Sequence, residues 1–326
     1  MFMLKRLKYL RRMISAYLLP GRSQLTFWHE RPEVSPHTPT GELGEYYMTF
    51  QSKADYPGPF DTQGIPQLDY RGSLGLQYNP IAIAQFGLGN YNLFRRAPDP
   101  ERRRRFLLAA DWLETHLEKN PAGLAVWNHH FDWDYRTPLK APWYSGLAQG
   151  QGISLLVRAH RETGQTRYLH AARQAFEAFT RLVEEGGVVY RDENGRMWIE
   201  EYIVSPPTHI LNGFFWASWG LFDFHLATGD PAARNLWEES AATLSDVLQT
   251  YDTGFWSLYE HSGTRMRMFA SLFYHSLHIV QLRVMALLTG DKVFAATADR
   301  WEEYRKSFLK RTRARLHKAI FKLCYY

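Results

Sequence analysis

Cysteine is nearly absent: Cys324 is the single one in 326 residues, which excludes an internal disulfide framework and leaves the redox compartment open. No stretch reaches the roughly 18 apolar residues a membrane-spanning helix needs. The early "MISAYLLP" is too short and interrupted for a signal peptide, although a basic start precedes it. A soluble protein, cytoplasmic or peripheral to the inner face of a membrane, is therefore expected. No HExxH-type ligand set and no nucleic-acid-binding motif occurs, so neither a zinc hydrolase nor a nucleic-acid partner is expected.

What is present is apolar and aromatic. At 45% hydrophobic and 22% charged residues, the chain can bury a large core and is not disordered as a whole. Aromatics reach 15%, with 11 Trp, 19 Tyr and 20 Phe, more flat half-polar surface than a core requires and well suited to stacking on sugar rings. The formal charge of +6 favours an anionic partner: phosphate, uronate or an acidic lipid surface. Basic residues concentrate at the two ends, "MFMLKRLKYLRRM" and "RKSFLKRTRARLHKAIFK". Both alternate Lys and Arg with Leu, Tyr, Ile and Phe, so each end is either a solvated helix or one lying on an anionic membrane.

A repeat emerges once Thr-Gly steps are read as helix ends. "HRETGQTRYLHAARQAFEAF", "HLATGDPAARNLWEESAATL" and "ALLTGDKVFAATADRWEEY" each join an apolar helix to an amphipathic one through Gly164, Gly229 or Gly290. An earlier copy uses Pro98 and Pro100 at its turn. The resulting pairs span 80–94 with 101–118, 145–162 with 166–184, 208–228 with 231–250, and 268–289 with 292–309. The first helix of each pair is the more apolar, which predicts first helices inside and second helices outside a toroid or solenoid. Domain limits follow: a basic N-terminal segment over 1–40, a toroid over 41–310 and a basic C-terminal tail over 311–326.

The long segments 119–144, 185–207 and 251–267 each precede an inner helix, so a closed toroid gathers them at one mouth. "GGVVYRDENGRMWIEEY" reads as a hairpin turning at Asn194-Gly195 and ending on Glu200, Glu201 and Tyr202. The two glutamates occupy opposite faces of extended chain, one directed at the mouth or both solvated. Thr208 is placed to cap the next inner helix. Arg265 and Arg267 suit a carboxylate or sulfate, or form a basic loop with no ligand. His275 and His278 share a helix face without a completing carboxylate, so they satisfy buried hydrogen bonds or contact substrate beside Tyr274. Tyr144 precedes a helix whose Gln149 and Gln151 lie among glycines, either facing a cavity or marking close packing. Asn212 is the matching polar residue one pair later, and Tyr78, Asn79 and Gln85 belong to the first pair.

"APWYSGLAQGQGISLLVRAH", "WIEEYIVSPPTHILNGFFWASWGLFDF", "YDTGFWSLYE" and "YHSLHIVQL", in that order, resemble the C-terminal catalytic domain of the D-glucuronyl C5-epimerase family over approximately residues 70–310. The resemblance implies an all-α (α/α)4 toroid of helix hairpins, with a short β-hairpin and aromatic loops at the mouth. It also implies conversion of D-glucuronate to L-iduronate units within a glycan. The family's catalytic carboxylate and adjoining tyrosine match Glu201 and Tyr202, its loop tyrosine Tyr259, and the tyrosine opening the last inner helix Tyr274. Two departures stand out. The segment "QYNPIAIAQFGLGNY" runs almost directly into the second helix, without the β-rich insertion of the family. Where the animal enzymes carry Tyr-Asp-Leu-Arg, this chain reads Tyr259, Glu260, His261, Ser262. The arginine expected to hold the uronate carboxylate is thus missing at Ser262, with Arg265 or Arg267 as substitutes from the next turn.

Epimerisation at C5 removes a weakly acidic proton alpha to a carboxylate and reprotonates the opposite face, which demands two acid/base groups flanking the ring. Donors aimed at the enediolate-like carboxyl oxygens lower the barrier further. Glu201 and Tyr274 are assigned to the two faces, with Tyr202 and Tyr259 as donors or relays. Tyr78, Tyr144, Gln149, Asn212, Arg265, Arg267, His275 and His278 are assigned to substrate binding, and no metal or cofactor is required. A uronate-glycan lyase, which begins with the same abstraction, and a non-catalytic glycan-binding toroid are the alternatives. The partners expected are an anionic uronate-containing glycan, an anionic membrane at the basic termini, and a second copy in a homodimer.

Overall fold

The computed structural model describes residues 24–29 and 31–325; the basic stretch 1–13, with its expected membrane contact, lies outside the described residues. Helices come in pairs: α1 (Pro80–Arg96) with α2 (Pro100–Thr115), α3 (Gly146–Thr163) with α4 (Thr166–Phe176), α5 (Leu211–Thr228) with α6 (Pro231–Tyr251), and α7 (Leu272–Thr289) with α8 (Lys292–Lys306). This is the expected all-α toroid of helix hairpins. The punctuation is local. Gly164, Gly229 and Gly290 end three inner helices at φ 69, 70 and 71°, left-handed values that glycine adopts without a side-chain penalty. The outer helices α2 and α6 begin with proline behind Asp99 and Asp230, whose carboxylates accept from the first-turn amides.

Inner and outer layers sort as their polarity dictates. Pro80–Asn92 of α1, Gly146–Ala159 of α3 and Leu211–Phe224 of α5 are buried throughout. By contrast α2 buries only Phe106, Ala109, Ala110 and Leu113. The backbones of α3 and α5 touch: a Cβ on Gly220 would lie 2.4 Å from the Cα of Gly150. The glycines of "LAQGQG" therefore serve close helix packing.

Some boundaries shift. α4 stops at Phe176 and continues as 3-10 turns at Glu177–Thr180 and Val183–Glu185. α5 and α7 begin at Leu211 and Leu272, a few residues after the expected starts. Thr208 does not cap α5, because Ile210 is its N-cap and makes no side-chain bond. Residues 308–325 form a further helix, α9 (Phe308–Tyr325), anchored by buried Ala314 and Phe321. Strands are short: β1 (Leu68–Asp69) with β2 (Leu76–Gln77), β3 (Glu118–Lys119) with β4 (Ala125–Val126), and β5 (Val189–Arg191) with β6 (Met197–Ile199). The last pair is the expected hairpin. It pairs Val189 with Ile199, and Gly195 turns at φ 76°.

Residues 44–50 thread the interior, an arrangement without any periodic signal. Tyr46 stacks on Phe50 with centroids 5.4 Å apart, and Tyr47 meets Trp219 edge-on at 5.3 Å. Asn92 of α1 accepts from the Tyr46 amide at 2.7 Å. The Tyr47 hydroxyl donates to Asp223 at 2.6 Å, and Arg158 forks onto the same carboxylate at 2.6 and 3.0 Å. The Arg158 and Asp223 side chains are 1% and 0% exposed. Removing one member of such a pair strands the other charge in a dry interior, so Asp223→Ala should cost about 3–5 kcal/mol, readable as a lowered urea midpoint.

Candidate active site

Three loops meet at one mouth, as their positions before the inner helices require. Tyr135 from the first packs on Tyr202 from the second at 4.7 Å. Its hydroxyl donates to Glu260 of the third. Beside it, Arg136 donates from Nη1 to Ser262 Oγ at 2.6 Å and pairs with the Glu260 carboxylate.

The hairpin delivers both glutamates into the protein, so the pair is not solvated. Glu200 is 1% exposed. It accepts from the Thr208 and His209 amides, both at 3.1 Å, and contacts the His209 ring at 2.5 Å. That carboxylate pins His209 at φ 47°, a conformation unusual for a residue with a Cβ, and so fixes the approach to α5. Glu201 points the other way, as alternation in extended chain demands. It is 6% exposed and accepts from Asn212 Nδ2 at 3.3 Å. Its carboxyl lies flat on the first turn of α5, where a Cβ on Gly213 would stand 2.3 Å from Oε2. Only glycine leaves room there.

Burial pushes the Glu201 carboxyl up to about 8; the charges of Glu260 and Glu200 add to this, against hydrogen bonds from Tyr202 and Asn212. Glu260 pairs with Arg136 and Glu200 contacts the His209 ring, whereas Glu201 has no ion pair among the described residues. Tyr259, 7% exposed, meets Tyr274 edge-on at 4.7 Å. Burial raises its phenol well above the ordinary tyrosine value, with Tyr274, Glu201, Tyr202 and Tyr135 as the next contributors. Glu201, Tyr202, Tyr259 and Tyr274 thus form one cluster. An open pocket lies beside Tyr274, walled by Trp28, Met48, Phe50, Trp216 and Leu277 with Gln85 and Lys53 as polar contacts.

The remaining expected residues divide sharply. Asn212 belongs to the cluster through Glu201. Tyr144 bonds the Gly186 carbonyl at 2.7 Å, tying two loops together. Gln149 is consumed by backbone: its Oε1 accepts from Trp127 at 2.9 Å and its Nε2 donates to Ala125 and Ala175. Tyr78 sits on the outside, bonded to Asp61 at 2.8 Å. His275 lies between Ser257 Oγ at 2.7 Å and the Trp301 carbonyl at 3.0 Å, stacked on Trp256. His278 shares Ser257 at 3.1 Å. Burial holds both imidazoles below their ordinary value; both ring nitrogens of His275 are bonded, whereas His278 bonds only through Nδ1 and leaves Nε2 buried without a partner among the described residues. Arg265 and Arg267 are exposed. The guanidinium that reaches Ser262 is Arg136, from a loop far away in sequence. Lys318 of α9 was also unforeseen; its ammonium lies 5.3 Å from the Tyr259 ring centroid. Burial, then the neighbouring Lys322, holds that ammonium well below the ordinary lysine value.

The family model of the D-glucuronyl C5-epimerase C-terminus matches residues 122–303, a span containing nearly all of the three mouth loops and the whole Glu201 cluster. The chain belongs to this family. Its resemblance to these epimerases extends to a D-glucuronyl C5-epimerase of Caenorhabditis elegans, 31% identical over 215 residues. That match covers 61% of this chain and 34% of the worm protein, so the chain spans about a third of that relative. An uncharacterized protein of Methanocaldococcus jannaschii is 27% identical over 271 residues, covering 76% of this chain and 86% of its own. Among solved structures, a cellobiose 2-epimerase from Bacillus thermoamylovorans aligns with TM-score 0.57 at 11% identity, over 93% of this chain and 87% of that one. At that identity the likeness is one of fold, and the fold is the helical toroid. Within this C5-epimerase family member, α9 lies beyond the matched span. No helix among the described residues is long and apolar enough to cross a membrane.

Proposed function

We propose that the protein epimerises C5 of D-glucuronate units in a glycan to L-iduronate. The observation that carries this reading is Glu201: a buried carboxyl with no cation partner among the described residues, held on Gly213 and titrating near 8, in one cluster with Tyr259 and Tyr274. Near neutral pH such a group both accepts and returns a proton. The C5 proton passes to the Glu201 carboxylate, and the electron pair of the broken C–H bond spreads into the uronate carboxyl. The Tyr274 hydroxyl then delivers its proton to the opposite face of C5; the phenolate takes a proton from solvent and the Glu201 acid releases its own to solvent, which resets both groups. Tyr202 and Tyr259 donate to the developing charge.

Arg136 is assigned the task of the arginine missing at Ser262, because its guanidinium stands 2.6 Å from the Ser262 hydroxyl. A planar fork so placed suits the uronate carboxylate. The aromatic walls of the pocket beside Tyr274 supply flat surface for a sugar ring.

The deciding measurement is incubation with glucuronate-containing glycans in D2O, following C5 by NMR. Deuterium at C5 with iduronate formed is the expected outcome. An ultraviolet band of an unsaturated uronate would assign a lyase instead, and binding without deuterium uptake would reduce the toroid to a glycan-binding protein.

A further inference from the structure

Helix α9 has two apolar faces, and only one is used by the fold. Ala314 and Phe321 face the protein and are 2% and 0% exposed. On the same inward side, His317 stacks on Phe269 at 4.8 Å, and the Tyr325 hydroxyl accepts from the Met266 amide at 3.2 Å. Facing away are Leu309, Leu316 and Ile320, 78%, 61% and 40% exposed. At spacings of i, i+7 and i+11 they fall within one narrow stripe of an α-helix. Phe308, 68% exposed, widens it at the N-terminal end.

The surroundings of the stripe identify its partner. Residues 308–325 contain six Lys or Arg and no Asp or Glu. Exposed Arg313 and Arg315 flank the leucines on either side. A second copy of the helix would bring like charges together. The chain's own N-terminal stretch "MFMLKRLKYLRRM" is equally basic and repelled in the same way. An anionic polysaccharide satisfies the arginines and leaves the leucines in water. A partner that offers hydrocarbon bordered by phosphate satisfies both.

We infer that α9 docks the protein on an anionic lipid membrane, with Leu309, Leu316 and Ile320 in the acyl boundary and Arg313 and Arg315 among the phosphates. The inward face of the same helix carries Lys318 against Tyr259, so docking sets the mouth of the toroid beside the membrane surface. This inference is independent of the reaction assigned to the mouth.

The test is co-sedimentation of the full chain with vesicles of phosphatidylcholine alone or mixed with phosphatidylglycerol. Three proteins are compared: wild type, Leu309→Ser/Leu316→Ser/Ile320→Ser, and Arg313→Gln/Arg315→Gln. All five positions lie outside the core, and circular dichroism checks that each variant keeps its fold. Wild type should bind the mixed vesicles and not the neutral ones, releasing them as salt rises. Each basic residue near an anionic surface is worth roughly fivefold, so the arginine variant should bind roughly twentyfold more weakly. The serine variant should fall at least as far. Failure of wild type to bind, or serine-variant binding as tight as wild type, would overturn the inference. A serine variant that lost only a dimer, seen by ultracentrifugation, would assign the stripe to a second copy instead.

Discussion

Replacing Glu201 with glutamine should abolish deuterium exchange at C5 and at the same time make the protein harder to unfold at alkaline pH. The loss of exchange follows from removing a proton acceptor that glutamine cannot replace, an effect of ~10²–10⁴-fold for a positioned general base. The gain in stability follows from linkage. In the unfolded chain this carboxyl titrates near 4.5, and in the fold near 8. Folding therefore favours the neutral acid. That preference is fully present below the lower value and is lost as pH rises through the higher one, because the fold must then bury an unpaired anion. The interval is worth up to roughly 5 kcal/mol, an upper bound because buried carboxylates relax toward water. Glutamine keeps the shape and an acceptor for Asn212 without the charge. Its melting temperature should exceed that of wild type by a margin that grows from pH 5 to pH 8. A margin independent of pH would show that Glu201 titrates normally.

The same titration shapes activity. If the carboxylate is the base, kcat/KM for a glucuronate glycan should rise about tenfold per pH unit and level off near 8. A profile that is flat across neutral pH would place proton abstraction on another group.

The fold was legible because its signals are local. Thr-Gly steps mark inner-helix ends by a backbone conformation, and Asp-Pro steps mark outer-helix starts by capping, so each can be read within a few residues. Glu201 was legible for a related reason: alternation in the hairpin sends Glu200 and Glu201 to opposite sides. Its burial depends on Gly213, in the first turn of α5. The misassigned residues share a different cause. Tyr144, Gln149 and His275 have the right chemistry for a binding site, but each hydrogen bond they make goes to a group remote in sequence, such as Gly186 or Trp301. A polar side chain consumed by backbone looks the same in sequence as one free for a ligand. Residues 44–50 and α9 join the core through long-range aromatic and ionic contacts, and neither carries a periodic pattern that predicts where it docks.

Arg136 is the extreme instance, because the position it serves is 126 residues away at Ser262. Arg136→Gln should lower kcat/KM by ~10²–10³-fold, the usual consequence of deleting a charged donor from a preorganised site. The guanidinium also neutralises Glu260, whose side chain is fully buried while that of Arg136 is 12% exposed, so the single variant alone would leave two explanations. Pairing it with Glu260→Gln separates them. With no buried anion left uncompensated, the double variant should recover most of the lost stability. If Arg136 acts on the substrate carboxylate, activity should stay low in the double variant. A return to near wild-type rates would make it a structural partner of Glu260 only. Lysine at 136 retains the charge without the planar fork and should restore part of the stability but little of the affinity. Arg265→Gln and Arg267→Gln, on exposed backbone near the same loop, should each change kcat/KM by less than about threefold. A larger loss there would return the carboxylate to those arginines.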